Sequence, residues 1–401
     1  MNLTPRGRTL LVVSASFLAF GRTFALRELS MLGTGCAAAV VFGAIAVVLR
    51  RGTVEVERKV HPARSSVGAE VRVDLSLTAK GAIGTAPLLA EDRIPPNLGG
   101  TVRVTIDARA SGRRVAYTFT PRTRGRYELG PLELLHTDPF GAVTRRKATA
   151  GTSHIVVYPS YDRIVSMPVG LQRLGAVRRS PLLGQGNEFY ALRAYELGDD
   201  LRKVHWPTSA KLDQLVIRQD ELLAEPRMVV LLDSCESKHR GEGAASSLEA
   251  AVSACASVAM LALRRRMRIQ ILTPDGILLR TRRPSEEELL EHLAMLQPSG
   301  RESLLEGLQH LPPRLLASSA VVAITPGVGG PELGVIARLM HAAVGGAVVR
   351  VVAETFGSAA GARRPDDNAL RPLGVPVVRL RSGDSFHQVW ESTVRDVAVA
   401  R

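Results

Sequence analysis

The chain has 401 residues, which is long enough for two or three domains with their own cores. Its 52 Lys and Arg residues exceed its 38 Asp and Glu residues and give a net charge of +14, a balance that suits nucleic acid or an anionic membrane surface. The basic residues are scattered and no base-stacking or groove-reading motif accompanies them, so a membrane is favoured and no nucleic-acid partner is expected. The three cysteines, Cys36, Cys235 and Cys255, form no CxxC pair, which argues against a disulfide scaffold or a structural zinc site and favours a reducing compartment.

Two apolar segments open the chain. Residues 29–49, LSMLGTGCAAAVVFGAIAVVL, carry no charge and match the roughly 20 residues that cross a hydrocarbon core. Residues 9–26 are apolar except for Arg22, whose long side chain reaches the interface if it lies near a helix end. Together they predict an anchor of two transmembrane helices within residues 1–51. A cleaved signal peptide is the alternative, which the second span directly behind the first disfavours.

Basic residues flank both ends of this predicted hairpin. The flanking residues are Arg6, Arg8, Arg50, Arg51, Arg58 and Lys59. The connecting turn holds Arg22, Arg27 and Glu28. The positive-inside rule therefore predicts a multi-pass protein of the plasma (inner) membrane with its soluble domains facing the cytoplasm. If the first segment did not cross, the soluble domains would lie outside.

Behind the anchor the apolar pattern takes a period of two. The segments VEVERKV from Val54 and EVRVDLSLTA from Glu70 alternate apolar and polar residues, as half-buried strands do. Further alternating segments follow up to HIVVYP at His154. Residues 52–160 therefore predict an antiparallel β-sandwich, which resembles immunoglobulin-like modules in outline but lacks their cysteines.

A basic linker and a polar motif occupy residues 161–225, and the pattern then changes again. RMVVLLD, ending at Asp233, is a continuous apolar strand, and an amphipathic helix begins at Ser247. The same unit of strand and helix recurs to the C-terminus. Strands that alternate with helices predict an α/β domain over residues 226–401, with a mostly parallel sheet covered on both faces.

The first of these strands ends in the loop DSCES, residues 233–237. Ligands of open parallel sheets bind beyond the carboxyl ends of the strands. The loop resembles the D-x-S-x-S cation loop of von Willebrand factor A domains, with Asp233 and Ser237 matching the pattern. Cys235 replaces the middle serine, and sulfur is a poor ligand for magnesium.

The more distal cation-binding positions of that family differ further. Glu302 or Ser303 would have to replace its usual threonine, and Pro326 stands where the family has a carboxylate. We therefore predict a von Willebrand A-like fold without a bound cofactor. Magnesium held by Asp233 and Ser237 is the alternative.

The most unusual stretch is GNEFYALRAYELGDDLRKVHW, residues 186–206. Its carboxylate pair, Asp199 and Asp200, lies near His205, and such a set is a common acid/base or metal-binding combination. However, the chain has no nucleophile with an identifiable base, no H-E-x-x-H motif and no Gly-rich phosphate loop. No catalytic residue is therefore assigned.

A structural role is the interpretation that the sequence favours for this block, and partner recognition and catalysis are the alternatives. In the structural interpretation, Glu188, Arg193 and Arg202 form an ion network, because charge clusters with perturbed pKa values are often structural. Phe189 and Trp206 would anchor the segment to the parallel sheet.

The same block carries the resemblance to a known family. It follows the pattern of the bacterial domain of unknown function family 58 closely, although His205 stands where that family often has Asp. The matching residues include Glu188, Phe189, Arg193, Tyr195, Gly198, Asp199, Asp200, Arg202 and Trp206. The segments RGRYELGPLEL, DPFG and VYP, and the order of anchor, β domain, block and A-like domain, extend the resemblance over nearly the whole chain.

This resemblance implies a membrane-anchored adaptor or scaffold and no enzyme. Members of the family occur beside MoxR-type AAA+ ATPases and are associated with chaperone-like or complex-assembly systems. A protein partner of the AAA+ class, at the membrane, is therefore the expectation. The alternative is a metal-dependent hydrolase or transferase that uses the acidic block.

Overall fold

The computed structural model describes residues 1–49, 53–80, 88–100, 102–106, 113–149, 151–167, 189–196, 201, 204–220, 226–281, 284–308, 319–327, 330–357 and 374–399. The chain divides into two compact units. The first comprises Met1–Ser160 with Leu290–Leu296, and the second comprises Tyr161–Leu289 with Gln297–Arg401.

The first unit begins with a short strand and a helical hairpin. These elements are β1 (Asn2–Leu3), α1 (Pro5–Thr23) and α2 (Arg27–Leu49). The Oγ1 of Thr4 accepts a hydrogen bond from the Gly7 N–H at 3.0 Å and so caps α1, and Pro5 occupies the first helical turn. For this reason α1 starts earlier than the apolar pattern alone predicts.

Small residues form the packed face between the two helices. The Ser14 hydroxyl donates to the Gly33 carbonyl at 2.7 Å, and a Cβ added at Gly33 would lie 2.8 Å from Leu18 Cγ. Large apolar side chains are exposed on the outer faces, among them Val12, Phe20, Met31, Phe42 and Ile45. Small residues inside and large apolar residues outside are typical of helices that associate in lipid.

The two helices differ in how well they suit a membrane. In the described part of the chain, α2 and the helix Ser247–Arg264 of the second unit are long and apolar enough to cross one, but most of the latter helix is buried in its own unit. The helix α1, which carries Arg6, Arg8 and Arg22, is not in this set. Of the two predicted spans, α2 alone therefore has the length and composition of a membrane-crossing helix.

Ten further strands complete the described part of the first unit. They are β2 (Thr53–His61), β3 (Arg64–Ser66), β4 (Val71–Lys80), β5 (Leu88–Asp92), β6 (Val102–Ile106), β7 (Arg113–Phe119), β8 (Gly125–Leu129), β9 (Leu132–Thr137), β10 (Val143–Thr149) and β11 (Ser153–Tyr158). Their sheets have the orders β1-β10-β9-β5-β6, β2-β4-β7 and β3-β11-β8. All pairs are antiparallel except β3 with β11, and residues of the three sheets share one apolar core.

A buried ion pair lies in this β region. Arg58 Nη2 lies 2.5 Å from Asp92 Oδ1, and the two side chains are 2% and 0% exposed. The Tyr117 hydroxyl donates to the other Asp92 oxygen at 2.6 Å, while Arg58 Nη1 donates to the carbonyls of Leu129 and Gly151. Each charge is therefore compensated where water is excluded.

The turn DPFG, residues 138–141, packs against the helical hairpin. The buried Asp138 accepts hydrogen bonds from the backbone N–H groups of Phe140 and Val143. A Cβ added at Gly43 of α2 would lie 2.6 Å from Asp138 Oδ2, so only glycine fits there. The strand β1 also pairs with β10, which ties both ends of the hairpin to the β region.

The second unit contains a two-stranded hairpin and a six-stranded sheet. The hairpin pairs β12 (Phe189–Ala194) with β13 (Val216–Asp220) and encloses the short helix α3 (Trp206–Leu212). The strands of the larger sheet are β14 (Arg227–Leu232), β15 (Arg268–Thr273), β16 (Gly276–Thr281), β17 (Ser319–Thr325), β18 (Gly345–Val351) and β19 (Val377–Leu380). The helices that follow are α4 (Ser247–Arg264), α5 (Glu286–Met295), α6 (Leu305–Leu308), α7 (Gly330–Ala342) and α8 (Phe386–Val399). The residues of α5 from Leu290 onward are assigned to the first unit.

The larger sheet has the order β16-β15-β14-β17-β18-β19. All of its strands except β16 run parallel to one another. The predicted mostly parallel sheet is thereby confirmed. The edge strand β16 is antiparallel and is not predicted by the pattern, because it belongs to a tight hairpin that turns at Gly276 with φ 118°. The central strand β14 is buried on both faces, which explains its unbroken apolar sequence.

Candidate functional site

The carboxyl ends of the neighbouring strands β14 and β17 bring two polar residues together. Asp233 directly follows β14 and is only 1% exposed, and Thr325 ends β17. The Thr325 hydroxyl donates to Asp233 Oδ2 at 3.0 Å, and the Cys235 N–H donates to Asp233 Oδ1 at 3.2 Å. This edge of a parallel sheet is where ligands of such folds bind.

Lys238 inserts its ammonium group between two carboxylates at this edge. Its Nζ lies 3.0 Å from Asp233 Oδ2 and 2.7 Å from Glu332 Oε1. Glu332, in the first turn of α7, is 7% exposed and also accepts from the Ser303 hydroxyl at 2.5 Å. Asp233, Lys238, Ser303, Thr325 and Glu332 are called the strand-end cluster below.

Electrostatics hold the Lys238 side chain in its charged form. Burial lowers the pKa of this ammonium, but the hydrogen bonds and negative charges of Glu332 and Asp233 outweigh it and raise the pKa above its usual value. Lys238 is therefore a fixed cation at neutral pH. It is unsuited to act as a base there, since a base must give up its proton.

The structure places the predicted metal ligands differently from the expected loop. Asp233 belongs to the strand-end cluster, but the side chain of Ser237 is exposed on the turn Glu236–Lys238 and contributes no hydrogen bond to the cluster. Of the two candidates downstream, Ser303 joins the cluster. Within the residues described, no group of three or more His, Cys, Asp or Glu side chains is placed to hold a metal ion.

The thiol beside this cluster is not a nucleophile. Cys235 is fully buried, and its backbone forms a parallel bridge with Ser299. Burial, followed by the hydrogen bond and charge of Asp233, raises the pKa of the Cys235 thiol to about 12. The thiolate needed for nucleophilic attack is therefore scarce at neutral pH.

His239 supports the same loop from behind. Its Nε2 lies 2.8 Å from the Asp233 carbonyl oxygen, and its Nδ1 lies 2.9 Å from the Ser247 hydroxyl at the start of α4. Burial lowers the pKa of this imidazole. A neutral imidazole that donates to the carbonyl and accepts from the hydroxyl satisfies both contacts, so His239 braces the loop against α4.

The structure describes only part of the block, residues 186–206. Phe189 and Arg193 lie in β12, and the N–H of Tyr195 donates to the Leu215 carbonyl at 2.9 Å. The remaining motif residues Glu188, Gly198, Asp199, Asp200 and Arg202 lie outside the described residues. The predicted ion network and the predicted carboxylate pair both fall there and stay predictions.

His205 and Trp206 have roles that differ from the expected ones. The His205 Nδ1 accepts from the Thr208 N–H at 3.3 Å and lies 2.8 Å from the Thr208 hydroxyl, so the imidazole caps the N-terminus of α3. Trp206 is 64% exposed. The prediction that Trp206 anchors the segment to the sheet is therefore wrong, because this indole faces outward while Val204, Val216 and Ile217 provide the local buried contacts.

Large exposed apolar side chains lie at the end of the block and in the residues that directly follow it. They are Leu201, Trp206, Leu212 and Leu215, and are called the block surface below. Trp is usually well buried in folded proteins, so exposure of this residue among three leucines is informative. Tyr, Trp and Arg are also the residue types that dominate binding energies at protein interfaces.

Comparison with known proteins identifies one family. Residues 191–325 match the family described as "Protein of unknown function DUF58", and this span runs from β12 to the end of β17. The match covers part of the block and both Asp233 and Thr325, and it supports the resemblance to that family. No curated protein matches the sequence.

Solved structures show only remote similarity. The CARDB domain of a Pyrococcus furiosus protein in complex with di-metal ions is 16% identical, with a TM-score of 0.21 over 27% of this chain and 96% of that domain. The alkylpurine DNA glycosylase AlkC of Pseudomonas fluorescens, bound to DNA with an abasic site analogue, is 12% identical, with a TM-score of 0.19 over 38% of this chain and 45% of that one. Similarity at this level supports no conclusion about fold or function.

Proposed function

We propose that this protein is a membrane-anchored adaptor or scaffold whose second unit binds a protein partner through the block surface. The observation that carries this proposal is the 64% exposure of Trp206, with three exposed leucines within ten residues of it in the sequence. Exposed apolar groups of this kind mark interaction sites on soluble surfaces. The family resemblance suggests a MoxR-type AAA+ ATPase as the partner.

The described polar residues favour binding over catalysis. Lys238 of the strand-end cluster is held as a cation, and Cys235 beside the cluster is held as a thiol. His205, in the second unit's hairpin, caps a helix. The raised pKa values of Lys238 and Cys235 make both groups poor proton acceptors or nucleophiles near neutral pH. A metal-dependent hydrolase or transferase would have to rest on Asp199 and Asp200, and no described contact favours it.

Membrane anchoring by the hairpin is the second part of the proposal. Its small packed face, its large apolar outer faces and the length of α2 support insertion into lipid. Because β1 pairs with β10, the N-terminus lies on the same side as the β region, which favours two crossings over one. The basic flanks Arg6 and Arg8 favour the cytoplasmic side.

The proposal also assigns a fold type to each of the two units. An immunoglobulin-like sandwich in the first unit is supported by one apolar core shared among mostly antiparallel sheets. A von Willebrand A-like fold in the second unit is supported by its mixed parallel sheet and by Asp233 at the end of β14. In this scheme the anchor holds both domains at the inner membrane face.

Affinity purification of the full-length protein in mild detergent tests the binding role. We compare the wild type with a Trp206→Ser, Leu212→Ser double variant, and use Val165→Ser as the control because Val165 is another exposed apolar residue of the second unit. Removing a central interface Trp costs about 2 kcal/mol or more, which corresponds to at least a tenfold loss of affinity.

We expect an AAA+ ATPase to be recovered with the wild type and the control, and to be lost with the double variant. Recovery of equal amounts with all three proteins would place recognition elsewhere. Recovery of no AAA+ ATPase with the wild type would remove the proposed partner.

A further inference from the structure

The strand-end cluster already contains a cation at its centre. Two carboxylates, from Asp233 and Glu332, are nearly inaccessible to water and both contact the same Lys238 ammonium. Like charges held this close disfavour each other, and buried charges require a partner. The ammonium is therefore the shared partner of both carboxylates at the edge of the sheet.

Two hydroxyl groups contact the carboxylate oxygens that bind Lys238. The Thr325 hydroxyl binds Asp233 Oδ2, which is the oxygen that contacts Lys238, at 3.0 Å. The Ser303 hydroxyl binds Glu332 Oε1, which is the other oxygen that contacts Lys238. The ammonium nitrogen thus contacts two carboxylate oxygens, and each of these oxygens also accepts a hydrogen bond from a hydroxyl group.

This donor set is suited to a small divalent cation. Carboxylate and hydroxyl oxygens are the ligands that Mg²⁺ and Mn²⁺ prefer, and Mg²⁺ often binds through one or two carboxylates while it keeps several waters. In the strand-end cluster, one ammonium faces two carboxylate groups.

We propose that Lys238 is a built-in cation that occupies a latent divalent-cation site formed by Asp233, Glu332, Ser303 and Thr325. With the ammonium in place, the site excludes metal because the position is filled and a second cation would be repelled. Without the ammonium, the same oxygens bind Mg²⁺ or Mn²⁺. The inference concerns the strand-end cluster alone and is independent of partner binding at the block surface.

The experiment compares Mn²⁺ binding by the full-length wild type, Lys238→Met and Lys211→Met. Methionine keeps an aliphatic stem of similar length and removes the charge, and Lys211 is an exposed lysine of α3 that controls for the loss of one positive charge. Calorimetric titration with Mn²⁺, repeated in competition with Mg²⁺, gives the affinity. We expect Lys238→Met to bind one Mn²⁺ at least tenfold more tightly than the other two proteins.

Two further measurements separate a specific site from non-specific binding or misfolding. Adding Asp233→Asn to Lys238→Met should abolish the new binding, because it removes one of the two charges. Lys238→Met should unfold at a lower temperature than the wild type, and Mn²⁺ should reverse most of that loss while leaving the Tm of Lys211→Met unchanged.

Equal Mn²⁺ affinity in the three proteins would overturn the proposal, as would binding that survives Asp233→Asn. If Lys238→Met does not fold without metal, its recovery in a folded form when purified with Mg²⁺ would support the site. If Lys238→Met folds neither with nor without Mg²⁺, Lys238→Gln is tested in its place. Absence of Mn²⁺ binding by folded Lys238→Gln would overturn the proposal.

Discussion

Removing the charge of Arg58 should destabilise the β region of the first unit far more than removing the charge of its neighbour Lys59. Arg58→Met leaves the carboxylate of Asp92 buried without its ion pair, and it also removes the donors to two backbone carbonyls. Breaking a buried pair in this way costs about 3–5 kcal/mol. Lys59 pairs with Glu57 at the surface, where the side chains are 60% and 65% exposed, so Lys59→Met should cost less than about 1 kcal/mol.

Proteolysis of the full-length protein over a urea series provides the assay. Cleavage sites mapped by mass spectrometry to residues 53–158 report the unfolding of this region and not of the second unit. A double variant, Arg58→Met with Asp92→Leu, should recover part of the lost stability, because no buried charge is then left unpaired. The reasoning is refuted if Arg58→Met and Lys59→Met unfold at the same urea concentration, or if the double variant is less stable than Arg58→Met.

Three other predictions concern the thiols, a buried carboxylate and the hairpin. Burial raises the pKa values of Cys235 and Cys255 to about 12, so neither should react with iodoacetamide at pH 8 until the protein is unfolded, and labelling of the native protein at either site would contradict this. Burial raises the pKa of Glu391, but hydrogen bonds donated by residues 165–166 outweigh it and lower the pKa overall. Its stabilisation is therefore present above the unfolded-state pKa and lost as the pH falls through the folded-state pKa. Glu391→Gln should cost about 1.5–3 kcal/mol in urea unfolding at neutral pH and much less in acid, so an equal cost at both pH values would count against it. Gly33→Leu should separate the two anchor helices, because a Cβ there would already lie 2.8 Å from a leucine side chain, and unchanged cross-linking between cysteines placed in the two helices would disprove it.

The period of the apolar pattern predicted the elements well because burial imposes it directly. An unbroken apolar run such as β14 belongs to a strand covered on both faces, and the parallel sheet followed from several such runs. Alternating segments such as β4 likewise became strands with one buried face. The edge strand β16 was missed because a short hairpin strand has too few residues to establish a period.

The site was less predictable because its parts come together only in the folded chain. Asp233 could be identified from its place after an apolar strand, but Lys238 reaches it through a turn whose path no local pattern specifies. Glu332 lies 94 residues beyond Lys238, in the first turn of a helix where an acidic residue already has a local explanation. The wrong prediction for Trp206 has a similar origin, since a large apolar residue is normally placed in a core.

The pairing of β1 with β10 has a consequence for the order of biosynthesis. Asn2 leaves the ribosome before both helices of the hairpin, and Thr144, its partner, follows 142 residues later. Both anchor helices have therefore emerged before the N-terminal strand has anything to pair with. The five-stranded sheet can be completed only when β1 and the β region lie on the same side of the proposed membrane anchor. If the hairpin crosses a membrane as proposed, this sheet closes only in chains whose β1 lies on the side of the β region, and the other chains keep an open sheet edge.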